Sequence, residues 1–374
     1  MNFSEIRHQD AGITRIDRAL SSGRFPHALL FTGPAGVGRE LAAAASARRL
    51  LCERPTGLDG CGACEDCTLL AAGSHPDYHR IYRLLARFHS EKRVRDRKAV
   101  ELSVDVIREF VLAPVMLRPS RGRAKVFVIC EAERLSEKAQ NALLKTLEEP
   151  PRDTFVILIS ASPDAMFSTT RSRCCEVAFR ALPDDYVAEE IRRRTSLGAA
   201  DARFVANLAQ GSLGAALGYA GADLMNGVRD VAHAVRKAQR DPLASGQSLL
   251  ETAKGIGEAM KRAGDDEGDT NVARNGQLVT IAIVAALLRD VARVAAGLPA
   301  VATSADWFDA AALAGSTDQR SIGAAIRSVA RAEYEIHGNV NAGLIFDGVG
   351  IALSRGLRPL VEGQIERGGR RRAN

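Results

Sequence analysis

The chain of 374 residues has no apolar run able to cross a bilayer. Its longest, 278–288, is ended by Arg289 and Asp290, well short of the roughly 20 residues a spanning helix needs. The opening Met1-Asn2-Phe3-Ser4-Glu5-Ile6-Arg7 has no long apolar core, which argues against a secretory signal. A soluble cytoplasmic protein without a membrane partner is therefore expected. No internal repeat is present. Most of the chain also lacks a charge bias. The net charge is +6, yet 80–98 carries eight bases against Glu91 and Asp96, and 365–374 adds four arginines against Glu366, so everything else is slightly negative. The body is thus no general polyanion binder. Those two segments are either the places where nucleic acid is touched or solvated, flexible stretches. The first lacks the aromatic interleaving of a single-strand platform, apart from Tyr82 and Phe88. What the chain does have, 46% hydrophobic and 26% charged residues, is ordinary for a folded protein and excludes wholesale disorder. Its length allows two to three domains at roughly 150 residues each.

Four of the seven cysteines cluster. Cys52, Cys61, Cys64 and Cys67 read C-x8-C-x2-C-x2-C, with Gly60, Gly62 and Glu65-Asp66 suited to a tight knuckle. Four thiolates complete the closed tetrahedral shell of a structural zinc site, with no position open for catalysis. An iron–sulfur cluster uses similar ligands, and unligated thiols are the bland reading. A disulfide fits poorly where the compartment is reducing. Cys130, Cys174 and Cys175 lie in or beside apolar strands and read as small core residues. His75 and Asp77, just beyond the knuckle, read as parts of a loop turn, because the thiolates already fill the shell.

Short apolar runs at 28–31, 126–129, 155–159 and 176–179 read as buried strands alternating with helices, which implies a parallel sheet covered on both faces. A helix is expected at 39–51, another at 104–111, and a third after the capping Ser136, with Ala139, Ala142, Leu143, Thr146 and Leu147 on one face and Pro150-Pro151 ending it. Beyond Pro183 the strand signal vanishes. Helical patterns follow at 184–194, 199–209 and 213–220, and from 222 the chain is alanine-rich and helical, interrupted by the polar stretch 263–276.

Between the first strand and helix stands Gly33-Pro34-Ala35-Gly36-Val37-Gly38-Arg39-Glu40. A phosphate loop reads G-x4-G-K-[ST]: backbone N–H groups cradle phosphates, the lysine reaches the β/γ oxygens and the hydroxyl holds Mg²⁺. Gly33, Gly36 and Gly38 are correctly spaced. Arg39 stands in the lysine position and Glu40 in the hydroxyl position, bringing a negative charge toward the phosphates. A metal-holding strand of this type ends in Asp-Glu, whereas 126–129 runs into Cys130-Glu131. With two metal contacts missing, hydrolysis should be abolished. Weak nucleotide binding stays open, and the loop reads best as an inherited, non-functional scaffold turn.

Several stretches resemble the bacterial clamp-loader AAA+ family of DNA polymerase III. Gln140-Asn141-Ala142-Leu143-Leu144-Lys145-Thr146-Leu147-Glu148-Glu149-Pro150-Pro151 is similar to its signature helix, Ser172-Arg173-Cys174 to its Ser-Arg-Cys motif, and His27-Ala28-Leu29-Leu30-Phe31-Thr32-Gly33-Pro34 to its first strand and loop. The four-cysteine knuckle and Gly73-Ser74-His75-Pro76-Asp77 follow in the family's order. The second half matches loosely, by helical character and Asn339-Val340-Asn341. A degraded phosphate loop beside a retained Ser-Arg-Cys arginine, and no arginine in Gly211-Ser212-Leu213-Gly214-Ala215-Ala216, resemble the delta-prime type of subunit.

The resemblance implies an α/β AAA+ P-loop-type parallel sheet domain over 1–181, with the knuckle at 52–67 and a basic insertion of unknown role at about 80–98. A helical lid at 182–221, an all-α collar or oligomerisation domain at 222–365 and a basic disordered tail at 366–374 would follow. It implies Arg173 as an arginine finger acting in trans on the ATP of a neighbouring motor subunit, structural zinc at the knuckle, and no intrinsic ATPase or polymerase activity. Lys145 either couples subunits or DNA to that site or belongs to a solvated helix face, and Arg171 has no assigned role. The implied partners are gamma/tau and delta subunits in a hetero-pentamer, and through it the sliding clamp and primer-template DNA. The alternative is an ATP-hydrolysing gamma/tau-like motor subunit.

Overall fold

A computed structural model of the chain describes residues 2–97, 99–121, 123–222, 224–262, 269–301, 307–315, 317–338 and 340–358. The arginine-rich tail, Lys98, Asn339 and the first part of the polar stretch at 263–276 lie outside the described residues. The chain divides into two compact units, Met1–Ala181 and Leu182–Asn374.

The first unit is built on strands β1 (Ala28–Thr32), β2 (Tyr78–Ile81), β3 (Lys125–Ile129), β4 (Thr154–Ser160) and β5 (Cys175–Ala178). They form one sheet in the order β2-β3-β4-β1-β5, and every pairing is parallel. Its helices are α1 (Asp10–Ser21), α2 (Arg39–Leu51), α3 (Glu65–Ala71), α4 (Glu137–Glu148) and α5 (Ser168–Arg171), with shorter turns between. Leu30, Phe127, Ile129, Val156 and Leu158 point to one face, where they pack with Ala139, Leu143 and Leu147 of α4 and with Val106, Ile107 and Val111. Helix α2 packs against β3 and β4 through the buried Ala42, Ala43, Ala45 and Ala47. Covering both faces is what makes the central strands read as unbroken apolar runs.

Two details depart from the sequence reading. Strand β2 was not expected: Tyr78-His79-Arg80-Ile81 lies at the sheet edge, where only Ile81 is buried, so it carries no apolar run. The basic stretch therefore begins inside the sheet and continues as a 3-10 turn (Arg83–Phe88) and a helical turn (Lys92–Arg95). The helix expected at 104–111 is α-helical only over Val104–Ile107 and widens to a π-turn over Arg108–Leu112 ahead of Pro114.

The second unit begins with α6 (Asp184–Arg194), α7 (Ala199–Leu208) and α8 (Leu213–Gly221), matching the three expected helical patterns. It continues with α9 (Leu224–Lys237), α10 (Pro242–Arg262), α11 (Asp269–Ala295), α12 (Ala310–Ala314), α13 (Gln319–His337) and α14 (Ala342–Gly356). Helix α10 packs on α9, α11 and α14, and α13 on α11 and α14. No strand occurs there among the described residues. The expected α/β class, a parallel sheet domain followed by a helical C-terminal region, is thus borne out. Among the described residues, no helix is long and apolar enough to cross a membrane.

Candidate functional site: glycine loop, arginine turn and cysteine knuckle

Strand β1 lies between β4 and β5, and the chain leaves it to reach β2 at the far edge. Such a reversal of strand order opens a crevice at the carboxyl ends of the strands, and the glycine loop occupies that end of β1. Gly33 has φ 127°, and a Cβ there would lie 2.1 Å from the Phe179 carbonyl oxygen, so no other residue fits. Gly36 and Gly38 also have positive φ, and Gly38 caps α2. The backbone of a phosphate loop is retained.

Its side chains are Arg39 and Glu40 where that loop pattern has lysine and a hydroxyl residue. Arg39 is 7% exposed, and its Nε and Nη1 have no hydrogen-bond partner among the described residues. Burial lowers its pKa, opposed by the charges of Glu133 and Glu40. Glu40 accepts from Arg80 Nε at 3.1 Å and Nη2 at 2.9 Å. Arg80 stands opposite Val128 in the β2–β3 register, on the face shared with Cys130. Burial, reinforced by the Glu40 charge, pushes the Cys130 thiol up to about 12. A neutral thiol therefore stands where a metal-binding carboxylate would be. Glu131, with φ 54°, accepts from the buried Arg83 Nε at 2.9 Å, while Arg83 Nη1 donates to the Ala99 carbonyl at 2.9 Å. The surviving acidic residue is held in a charge-assisted bond.

The second feature is the turn after α5. Arg173 Nε donates to Glu148 Oε1 at 2.6 Å, Nη2 donates to the same oxygen, and Nη1 donates to the Thr169 carbonyl at 2.7 Å. The side chains of the pair are 32% and 47% exposed, so the ion pair contributes only about 0–1 kcal/mol. Glu148 ends α4, where the helix dipole favours a neighbouring cation. The turn itself hangs from α4: Gln140, 2% exposed, accepts from the Phe167 backbone N–H at 2.8 Å and the Thr170 hydroxyl at 3.4 Å, and donates to the Leu135 carbonyl at 3.2 Å. Cys174 packs against the sheet core, and burial pushes its thiol up to about 12. Cys175 departs from the core reading: it is half-buried in β5 and accepts from Arg15 Nη2 at 3.4 Å. Arg171 pairs with the exposed Asp164, and Lys145 is exposed on α4.

The third feature is the knuckle. Cys52 follows α2, Cys61 lies in the loop, and Cys64 and Cys67 flank the start of α3. Their four Sγ atoms all lie within 4.8 Å of one another. The Cys52 and Cys64 sulfurs are 3.8 Å apart, close to the roughly 3.8 Å edge of a tetrahedron with metal–sulfur bonds of about 2.3 Å. Backbone N–H groups donate to three of them: Cys61 to Cys52 Sγ at 3.1 Å, Cys64 to Cys61 Sγ at 3.3 Å and Cys67 to Cys64 Sγ at 3.5 Å. Backbone donors lower the Cys61 pKa to about 6, whereas burial raises that of Cys52 to about 12. The geometry and donor set suit a soft divalent metal. Arg121 bonds Glu65 and Asp66 between the last two cysteines. His75 and Asp77 form a supporting turn: the Asp77 carboxylate accepts from the backbone of Ser120 at 2.7 Å and of Arg121 at 2.9 Å.

The structure thus brings the four cysteines together and keeps Arg173 on a separate turn from the glycine loop. Arg80, Arg83, Gln140 and Glu148 were not singled out from the sequence. The last two were in view, inside the quoted 140–151 motif. The first two gave no signal, since their partners lie 40 and 48 residues away.

Residues 8–183 match the family described as "DNA polymerase III, delta subunit". Similar curated proteins include DNA polymerase III subunit delta' of Pseudomonas aeruginosa, 40% identical over 42% of this chain and 48% of the relative. The subunit delta' of Escherichia coli is 35% identical over 52% and 55%. The subunit tau of Escherichia coli is 32% identical over 50% of this chain and 27% of its own length. The chain spans about half the length of the delta' relatives it matches.

Proposed function

We propose that the chain, whose residues 8–183 match the DNA polymerase III delta subunit family and resemble curated delta' subunits, is a delta-prime-like member of the clamp-loader family that does not hydrolyse ATP itself and lends Arg173 to a neighbouring motor subunit. The observation that carries this reading is the contrast in charge. Glu40 and Glu131 are bonded by the chain's own Arg80 and Arg83, and Cys130 is a buried neutral thiol. Arg173, by contrast, uses three of the five N–H groups of a guanidinium and has two left for an incoming anion. A guanidinium supplied in trans stabilises charge developing on a transferring γ-phosphoryl group. The partners in this reading are gamma/tau and delta subunits of a hetero-pentamer in the cytoplasm, acting together to load the sliding clamp onto primed DNA. In this reading residues 182–221 serve as lid and residues 222–365 as collar.

Zinc is the metal this reading assigns to Cys52, Cys61, Cys64 and Cys67. It would neutralise the thiolates and cross-link the end of α2 to the start of α3, a structural role in a closed shell. Cys61, whose pKa backbone donors lower to about 6, offers a thiolate, and the backbone N–H groups orient the sulfurs.

The discriminating experiment measures DNA-stimulated ATP turnover by the purified chain alone, then by motor and delta subunits with and without it. No turnover alone, and an increase on assembly, is expected. Robust turnover by the isolated chain would favour the gamma/tau-like motor and remove this reading.

A further inference from the structure

We propose that Glu148 is the positioning residue for Arg173, so that one helix, α4, both carries the turn and aims its cation. This deepens the finger reading and rests on it. The geometry has two anchors on α4. Gln140 fixes the base of the turn through the Phe167 N–H and the Thr170 hydroxyl. Eight residues on, about 12 Å along the axis, Glu148 takes two N–H groups on one edge of the Arg173 guanidinium. The Thr169 carbonyl takes a third. By donor count, one N–H on Nη1 and one on Nη2 remain for the oxygens of a phosphoryl group.

An untethered arginine loses much rotamer freedom when it engages an anion. Here that loss is already incurred in the folded chain, so the cation meets the neighbouring nucleotide pre-oriented. Because the pair is partly exposed, its Coulomb attraction is screened by water, and Glu148 steers the guanidinium without neutralising its pull on a polyanion.

The test uses the full chain assembled with motor and delta subunits, with turnover measured on purified assemblies. Arg173→Ala, Glu148→Ala, Glu148→Gln and the Arg173→Ala/Glu148→Ala double variant are compared. Misplacement of a catalytic group costs roughly ten- to a hundredfold. Glu148→Ala should lower kcat for ATP turnover by about that factor and leave KM for ATP nearly unchanged. Glu148→Gln, which keeps the accepting oxygen, should recover most of the loss, and the double variant should be no worse than Arg173→Ala alone. Arg173→Ala lowering turnover while Glu148→Ala leaves it unchanged, raises it, or multiplies with it in the double variant would overturn the positioning role and leave the finger reading standing. An unchanged Arg173→Ala assembly would remove both.

Discussion

The glycine loop and the Arg173 turn contain the same chemistry, arginine beside carboxylate, with opposite consequences. At the loop, Arg80 and Arg83 meet Glu40 and Glu131 around a buried thiol, so both carboxylates are bonded to cations of the same chain. At the turn, Glu148 and the Thr169 carbonyl together take three of the five N–H groups of Arg173, leaving two donors of the fork. The lesson is that a guanidinium–carboxylate pair can either close a site or aim a group. Which it does depends on which partner is the functional one and how much of its donor fork remains.

That comparison can be broken most decisively at Arg173. In the assembled complex, Arg173→Ala should reduce ATP turnover by about 10³-fold while co-elution of the subunits is unchanged. Equal turnover would make Arg173 another internal ion pair like those at the loop. The knuckle offers the next largest effect. Native chain should contain one equivalent of zinc by elemental analysis. Cys64→Ser should lose it and lower the Tm by roughly 5–10 °C, because structural zinc contributes folding free energy directly; iron, or no metal in the native chain, would refute the zinc assignment. The smallest effect is expected at the loop. Arg80→Ala removes a half-exposed pair worth no more than about 1 kcal/mol, a Tm shift of about 2–4 °C by calorimetry. It should confer no ATP turnover, since Cys130 and the Arg83–Glu131 bond remain. Turnover appearing in that variant would show that the ion pair alone keeps the loop silent.

Much of the site was legible because the informative residues are close in sequence. The spacing of Cys61, Cys64 and Cys67 sets a knuckle within seven residues, and the structure brings Cys52 in across the end of α2. Strand runs β1, β3 and β4 were readable because both faces are buried. Strand β2 was not: an edge strand needs an apolar residue on only one face, and Arg80 points toward Glu40 instead of into a core. The basic stretch suggested a solvated or nucleic-acid-binding segment. In the fold, Arg80 and Arg83 are bonded to carboxylates, and Arg95 donates to the His89 and Ser90 carbonyls at 2.7 Å.

By itself the sequence determined the buried strands β1, β3 and β4 and their alternation with helices, the four-thiol knuckle and the residue types at the glycine loop, since each follows from local periodicity, turn chemistry or side-chain identity. Only the tertiary structure decided which arginine meets which carboxylate. Those pairings span 25 to 48 residues and arise when sheet register and helix packing bring distant side chains within hydrogen-bond reach, a distance condition that no local pattern encodes.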